Sequence, residues 1–297
     1  MQRFQNFRKI AGLILLAAAL NGCEDVINVD LKEGESQLIV DAIITDDAGP
    51  QTIKLRKSGP YLDNAPLVGA GGALVKVTDF FSREFVFVEV PGTGNYVWTP
   101  GPNDTLPFGF PMNIYTLSVE YQGEKFTATS FMDSVLAIDS LGYNFLEESI
   151  FGGDTIEAGY ELTMKAFDIP GEGNCYWWRT YRNGVRYSAP SEINLSFDAA
   201  FGPGSDGVEI IPPIVSALTP ERFAAGDSIV VEVYSIGIPM FSYLIQAQTQ
   251  MTNSGLFATP PANVPTNIQN TNSGSKIKAL GWFGMVAVER KGVRIKP

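Results

Sequence analysis

The chain has 297 residues, 45% hydrophobic and 18% charged, a balance that excludes a disordered polymer and allows one large or two medium domains. Its 32 acidic residues outnumber 21 basic ones, and so acidic a surface repels phosphate backbones and anionic headgroups, arguing against nucleic-acid binding and polybasic membrane attachment. There is no histidine, which removes Ser-His-Asp and Cys-His nucleophiles, His-ligated zinc and the usual proton shuttle near neutral pH.

The first element is a leader. Residues 1–9 (MQRFQNFRK) are basic, residues 10–20 (IAGLILLAAAL) are apolar or small, and Asn21-Gly22-Cys23 follows. This is the order of a secretory signal peptide, and eleven apolar residues rise only about 16 Å as a helix, too little to span a bilayer. Leu20-Asn21-Gly22-Cys23 resembles the bacterial lipobox, with Asn21 departing from the usual small or hydroxyl residue. The expectation is a signal peptide over 1–22, cleaved to leave Cys23 acylated at the mature N-terminus; each buried methylene of such a chain adds about 0.8 kcal/mol of membrane affinity. Without the leader, 18 basic residues face 32 acidic ones, a balance of −14. The remaining thiol is Cys175, read as a small buried hydrophobe.

Residues 23–36 form an acidic tether. From Gln37 onward, apolar alternation marks short strands in QLIVDAIITD, QTIKLRKS, ALVKVTD, REFVFVEV, NYVWT, MNIYTLSVEY and EKFTATSF, separated by Gly, Pro and Asn/Asp turns. In MNIYTLSVEY, Tyr115, Leu117, Val119 and Tyr121 are expected to face a core, and Thr116, Ser118 and Glu120 water. Seven strands in about 95 residues predict a β-sandwich over 37–131. A second, β-rich domain is expected over 132–297. DSVLAIDSLGYNF, TIEAGYELTMKAFDI and NCYWWRTYRNG read as strands, the last ending in the hairpin signal Asn183-Gly184. Residues 188–226 read as loops. DSIVVEVYSI is a strand with Ile229, Val231 and Val233 on one face. PMFSYLIQAQTQM (239–251) places Phe241, Leu244, Ile245 and Met251 at near-helical spacing. GLFATPPANVPTNIQNTNSGS reads as a proline-broken crossing loop, and KIKALGWFGMVAVERKGVRI as closing strands. The fold expected is mainly β, with one or two short helices.

Candidate chemistry is sparse. Carboxylate catalysis needs two opposed acids, but nothing pairs any two of Glu147, Glu148, Asp168, Asp198 and Asp206. The oxygen-rich turns TDDAGP and GPGSDG lack the ligand spacing of a calcium loop. Gly202 to Gly207 matches GxGxxG, yet extended, proline-containing sequence follows it instead of a helix. No catalytic residue, cofactor or metal site is assigned. The best recognition surface is the aromatic strand around Trp177, Trp178 and Tyr181. Alternation sends Tyr176 and Trp178 to one face and Trp177 and Tyr181 to the other, one set for the core and the other for core or ligand.

Taken together, the lipobox with QLIVDAIITDDAGPQTIKL, PLVGAGGALVKVTD, VPGTGNYVW, YTLSVEYQGEKFTATSFM, VLAIDSLGY and GDSIVVEVYSI resembles the DUF4249 family of Bacteroidetes outer-membrane lipoproteins. Its most specific part is Phe257, Pro260, Pro261, Asn263, Asn267 and Ile268 ahead of Gly281 and Phe283. The resemblance implies a transthyretin-like or immunoglobulin-like first domain, a second β-rich domain and a partner TonB-dependent β-barrel receptor. It supplies no catalytic residues. Glu24 and Asp25 after Cys23 resemble the signal for display on the outer face of the outer membrane, and read equally well as a solvated linker. The function expected is a non-enzymatic, lipid-anchored binding or accessory subunit in nutrient uptake, with a small-molecule, glycan or peptide ligand. The alternatives are a carboxylate-based glycan-active surface enzyme and an adhesin or structural lipoprotein.

Overall fold

The computed structural model describes residues 36–296 apart from 60–64, 103–106, 152–153, 198–203, 205, 211–213, 254–258 and 260–261. The leader, Cys23 and nearly all of the acidic tether lie outside these residues.

The chain is mainly β. A nine-stranded sheet is built first from β1 (Leu38–Thr45), β2 (Gln51–Lys57), β3 (Leu74–Asp79), β4 (Glu84–Val90), β5 (Asn95–Trp98), β6 (Asn113–Tyr121) and β7 (Glu124–Met132). These are the seven strands that alternation predicts. In β1 the residues Leu38, Val40, Ala42 and Ile44 are buried while their neighbours are not, because successive side chains leave a strand on opposite faces. Strand β6 follows the expected pattern except at Ser118, which is buried between Leu117 and Val119. Strand β4 is the corner of the sheet: Phe85 and Phe87 pair with β3, and Val88 to Val90 with β5. The two halves fold over one core that includes Val40, Leu55, Tyr96, Leu117, Phe126 and Phe283.

Two strands of this sheet come from the far end of the chain. The order is β16-β7-β6-β3-β4-β5-β2-β1-β17, with β16 (Gln269–Asn270) and β17 (Ala279–Val286) at its ends. Strand β17 pairs parallel to β1, Val40 opposite Gly281. The ends then meet: Met285 N–H donates to Ser130 Oγ at 2.9 Å. Asn267 fastens them as a side-chain imitation of a strand, donating to the Phe283 carbonyl (2.7 Å) and accepting from the Phe283 N–H (3.0 Å). A boundary at residue 131 is thus crossed by strands from beyond residue 268.

The rest of the chain forms smaller sheets. Strand β8 (Ile138–Leu146) pairs with β11 (Gly159–Ala166), and β9 (Ser149–Phe151) with β10 (Asp154–Ile156). The single strand expected over TIEAGYELTMKAFDI is therefore two, β10 and β11. Strand β12 (Cys175–Arg182) lies between β15 (Ser228–Ile236) on one edge and β13 (Val185–Arg186) with β14 (Asn194–Phe197) on the other, and β18 (Val288–Arg294) completes this sheet beyond β15. Asn183 and Gly184, at φ 51° and 80°, make the expected turn of two left-handed residues between β12 and β13. A second core joins Ile138, Leu162, Tyr176, Trp178, Ile229, Val231 and Val233.

Only Ala287 separates β17 from β18, so one extended run belongs to both large sheets. Two helices follow β14 in the chain: α1 (Ile214–Ala217), a single turn, and α2 (Ile238–Thr252). Helix α2 buries Met240 and Leu244 in a third core with Cys175, Tyr234, Ile236 and Val286, and its Tyr243 stacks on Trp282 of β17 at 4.9 Å. Of the helix face expected from spacing, Leu244 is buried and Phe241 half-buried, but Ile245 and Met251 are exposed. The neighbour decides which stripe is covered: β17 and β12 meet Met240 and Leu244, leaving Ile245 on the open side.

Candidate functional site

Where the outer face of β1 and β2 approaches β12, the structure leaves a cleft of about 500 Å³. Strands β1 and β2 contribute Asp41, Ile43, Thr52 and Lys54, side chains that alternation turns away from the core. Asp41 and Lys54 stand opposite each other in the register and pair at 3.3 Å. Strand β12 contributes Trp177 and Arg179. The β13–β14 connection and the end of α2 supply the remaining wall, including Arg186, Ser188, Ile193 and Met251.

That wall is held in place. Ala189 N–H donates to Glu192 Oε2 at 2.5 Å, and Gln248 of α2 donates to the carbonyls of Pro190 (2.8 Å) and Ile193 (3.2 Å). Tyr187 OH donates to Glu221 at 2.7 Å; burial, together with this bond, pushes its phenol up to about 12, so it remains a proton donor at neutral pH.

Arg179 is the distinctive group. Its guanidinium carbon lies 3.7 Å from the centre of the Trp177 ring and 4.3 Å from that of Tyr234, a cation held by two aromatic faces. One nitrogen donates to Tyr234 OH at 3.2 Å, while the buried Nε has no acceptor. The facing carboxylate across the strand pair, Glu232, is engaged elsewhere. It accepts from Tyr181 OH (2.8 Å), from Tyr234 OH and from Arg290 Nε (2.5 Å). Burial pushes its carboxyl up, but these three hydrogen bonds and the Arg290 charge outweigh burial and hold it below the ordinary glutamate range. Arg290 in turn grips Asp47 of the β1–β2 turn through both terminal nitrogens.

The aromatic strand therefore divides as alternation requires. Trp177 lines the cleft. Trp178 is fully buried and donates its indole N–H to Ser196 Oγ at 2.9 Å, so, contrary to the expectation of a ligand contact, it belongs to the second core and not to the cleft. Tyr181 is on the Trp177 face but is spent on Glu232. Arg179, Arg186 and Lys54 were not singled out in the sequence, although Arg179 shares parity with Trp177 in YWWRTYR. Of the other acids considered, Asp168 is buried and accepts from Tyr176 OH (2.6 Å) and Gly207 N–H (3.1 Å), and Asp206 accepts from Gly171 N–H at 2.8 Å. Both hold loops. Asp198 lies outside the described residues. Among the described residues, no three of Asp, Glu and Cys gather closely enough to hold a metal ion, and no helix is long and apolar enough to cross a membrane.

A family model described as a domain of unknown function, DUF4249, matches residues 24–292. The chain belongs to the DUF4249 family. No curated protein matches it. The DUF4249 segments most specific in the sequence are those that close the first sheet. Asn267 ties β17 to β7, and Gly281 stands where an added Cβ would lie 2.1 Å from Val40 O. Two others, PLVGAGG and VPGTGNYVW, cross at Leu55: Ala70 N–H donates to Leu55 O, and Leu55 N–H to Gly94 O. The Arg56 side chain bonds both of these carbonyls and Asn95 Oδ1.

Proposed function

We propose that this DUF4249 protein is a non-enzymatic binding subunit, anchored in the outer membrane through acylated Cys23, that captures a ligand for a TonB-dependent β-barrel receptor or caps it. The observation that carries the reading is the cleft: a pocket of small-molecule size between strands, the β13–β14 connection and the end of α2, lined by an aromatic–cation pair. The lipobox Leu20-Asn21-Gly22-Cys23 supports the anchor. An apolar patch supports a protein partner. Phe80 and Phe81, 70% and 77% exposed, sit at the β3–β4 turn beside the start of β6 and end of β7, where Ile114 and Phe131 pair face to face, also exposed. Aromatic exposure of this kind marks interaction surfaces.

The test is purification of the tagged native protein from detergent-solubilised outer membranes. A β-barrel receptor should co-purify, Phe81→Asp should weaken that association several-fold, and the mature N-terminal peptide should carry acyl chains on Cys23. A monomer in repeated preparations sinks the receptor reading, and an unmodified N-terminus sinks the anchor.

A further inference from the structure

We propose that the cleft binds a small molecule bearing one carboxylate or phosphate group, whose anionic oxygens meet Arg179 with Arg186 beside it. The inference rests on the reading of the chain as a binding protein and names the ligand class.

The cleft carries positive charge left over. In a chain with a net charge of −11, this cleft gathers three cations, Lys54, Arg179 and Arg186, against two carboxylates, Asp41 and Glu192. Three cations against two carboxylates leave one positive charge over. Asp41 pairs with Lys54, and Glu192 accepts the Ala189 N–H. Among the described residues neither Arg179 nor Arg186 has a carboxylate within ion-pair distance. Glu232, which stands opposite Arg179 in the register, is occupied by two tyrosines and Arg290. Arg179 is thus a half-buried planar cation whose fork is engaged only by the hydroxyls of Tyr234 and Tyr181, neither of them charged, and whose buried Nε has no acceptor.

Burying donors without acceptors is unfavourable, and a guanidinium stacked on aromatic rings keeps its edge available for a bidentate oxyanion. Stacking on Trp177 and Tyr234 also fixes its rotamer before a ligand arrives, so less freedom is lost on binding. Ile43, Ile193 and Met251 give the cleft an apolar side for the body of the ligand, and Thr52 and Ser188 offer hydroxyls. A volume near 500 Å³ suits a molecule of one or two rings.

Isothermal titration of the purified full-length protein uses three probes: glucuronate, glucose 6-phosphate and glucose. At least one anionic probe should bind at least about tenfold tighter than glucose, more weakly as salt rises, and the comparison of the two separates a carboxylate ligand from a phosphate one. Arg179→Gln should lose at least about tenfold of that affinity. Arg186→Gln, on an exposed side chain that no core residue needs, should lose several-fold with unchanged thermal unfolding, so a folding defect in the first variant leaves the second to decide. Absence of anion binding, glucose binding equal to either anion, or affinities unmoved in Arg186→Gln overturns the proposal. Receptor co-purification without anion binding removes the ligand class alone; anion binding without a receptor removes the accessory role alone.

Discussion

Gly281 shows how much one residue can be constrained by a neighbour distant in sequence. Its φ is +90°, and a Cβ built on it would lie 2.1 Å from Val40 O and 2.9 Å from Val40 C. Both atoms are backbone in the centre of β1, so no rotamer change relieves the contact. Gly281→Ala must shift β17 away from β1 or force a strained backbone, and the expected loss is about 3 kcal/mol or more. Urea unfolding monitored by tryptophan fluorescence measures it; a midpoint within error of the parent protein would refute the close approach. At this scale the sequence was partly legible. Alternation separated Trp177 from Trp178 because strand geometry alone sorts them. Arg179 was not legible, since a charged residue in a strand ordinarily points to water, and only the fold shows that Tyr234 and Trp177 enclose it.

Among the elements, the segment from Thr266 to Asn270 does the work of a strand with hardly any strand in it. Thr266 Oγ1 donates to Gly281 O at 2.7 Å, Asn267 makes two bonds to Phe283, Ile268 is buried in the first core, and only Gln269 and Asn270 pair with β7. Asn267→Ala leaves the Phe283 N–H and carbonyl without these partners and is expected to cost about 2–3 kcal/mol. Asn267→Asp keeps the acceptor for the N–H but sets a carboxylate against the Phe283 carbonyl, so it should not restore the loss. Hydrogen exchange at the Phe283 amide is the local readout: accelerated exchange is expected in both variants, more so in the alanine one. The individual β1–β7 strands were readable because each carries its own period of two. This clasp was not, because Asn and Pro residues carry no period and the pairing of β1 with β17 joins residues about 240 apart. The helix was legible as a helix but not in its buried face, which β12 and β17 select.

For the whole molecule, the first sheet and the sheet around β15 are tied by charge as well as by the β17–β18 run. Arg290 of β18 holds Glu232 of β15 at 2.5 Å and Asp47 of the β1–β2 turn, and Asp46 accepts the Val288 N–H at 2.9 Å. This link is invisible to local pattern, because TDDAGP reads only as a turn until β18 is beside it. Burial raises the Glu232 and Asp47 carboxyls, but Tyr234, Arg290 and Tyr181 at the first and Arg290 at the second lower both below their ordinary values of 4.5 and 3.8. Asp227, against which burial is offset by the Ala224 N–H, Asn183 and Arg182, is lowered too. A carboxyl depressed by folding contributes stability that is complete above its unfolded value and is lost as pH falls through its folded one. Stability should therefore hold at neutral pH and decline as pH falls from about 4.5 downward. Asp46 works in the opposite sense: burial raises its carboxyl, so its protonation on the way down favours the folded state and tempers the decline. Glu232→Gln removes the most buried of the lowered groups, leaves Arg290 with Asp47 alone, and is expected to cost about 2 kcal/mol or more at neutral pH. Because glutamine does not titrate, the gap between variant and parent should narrow as pH falls below about 4.5. Thermal unfolding from pH 7 to pH 3 checks both features; a gap constant across that range would mean that Glu232 does not carry the acid sensitivity of the junction between the two sheets.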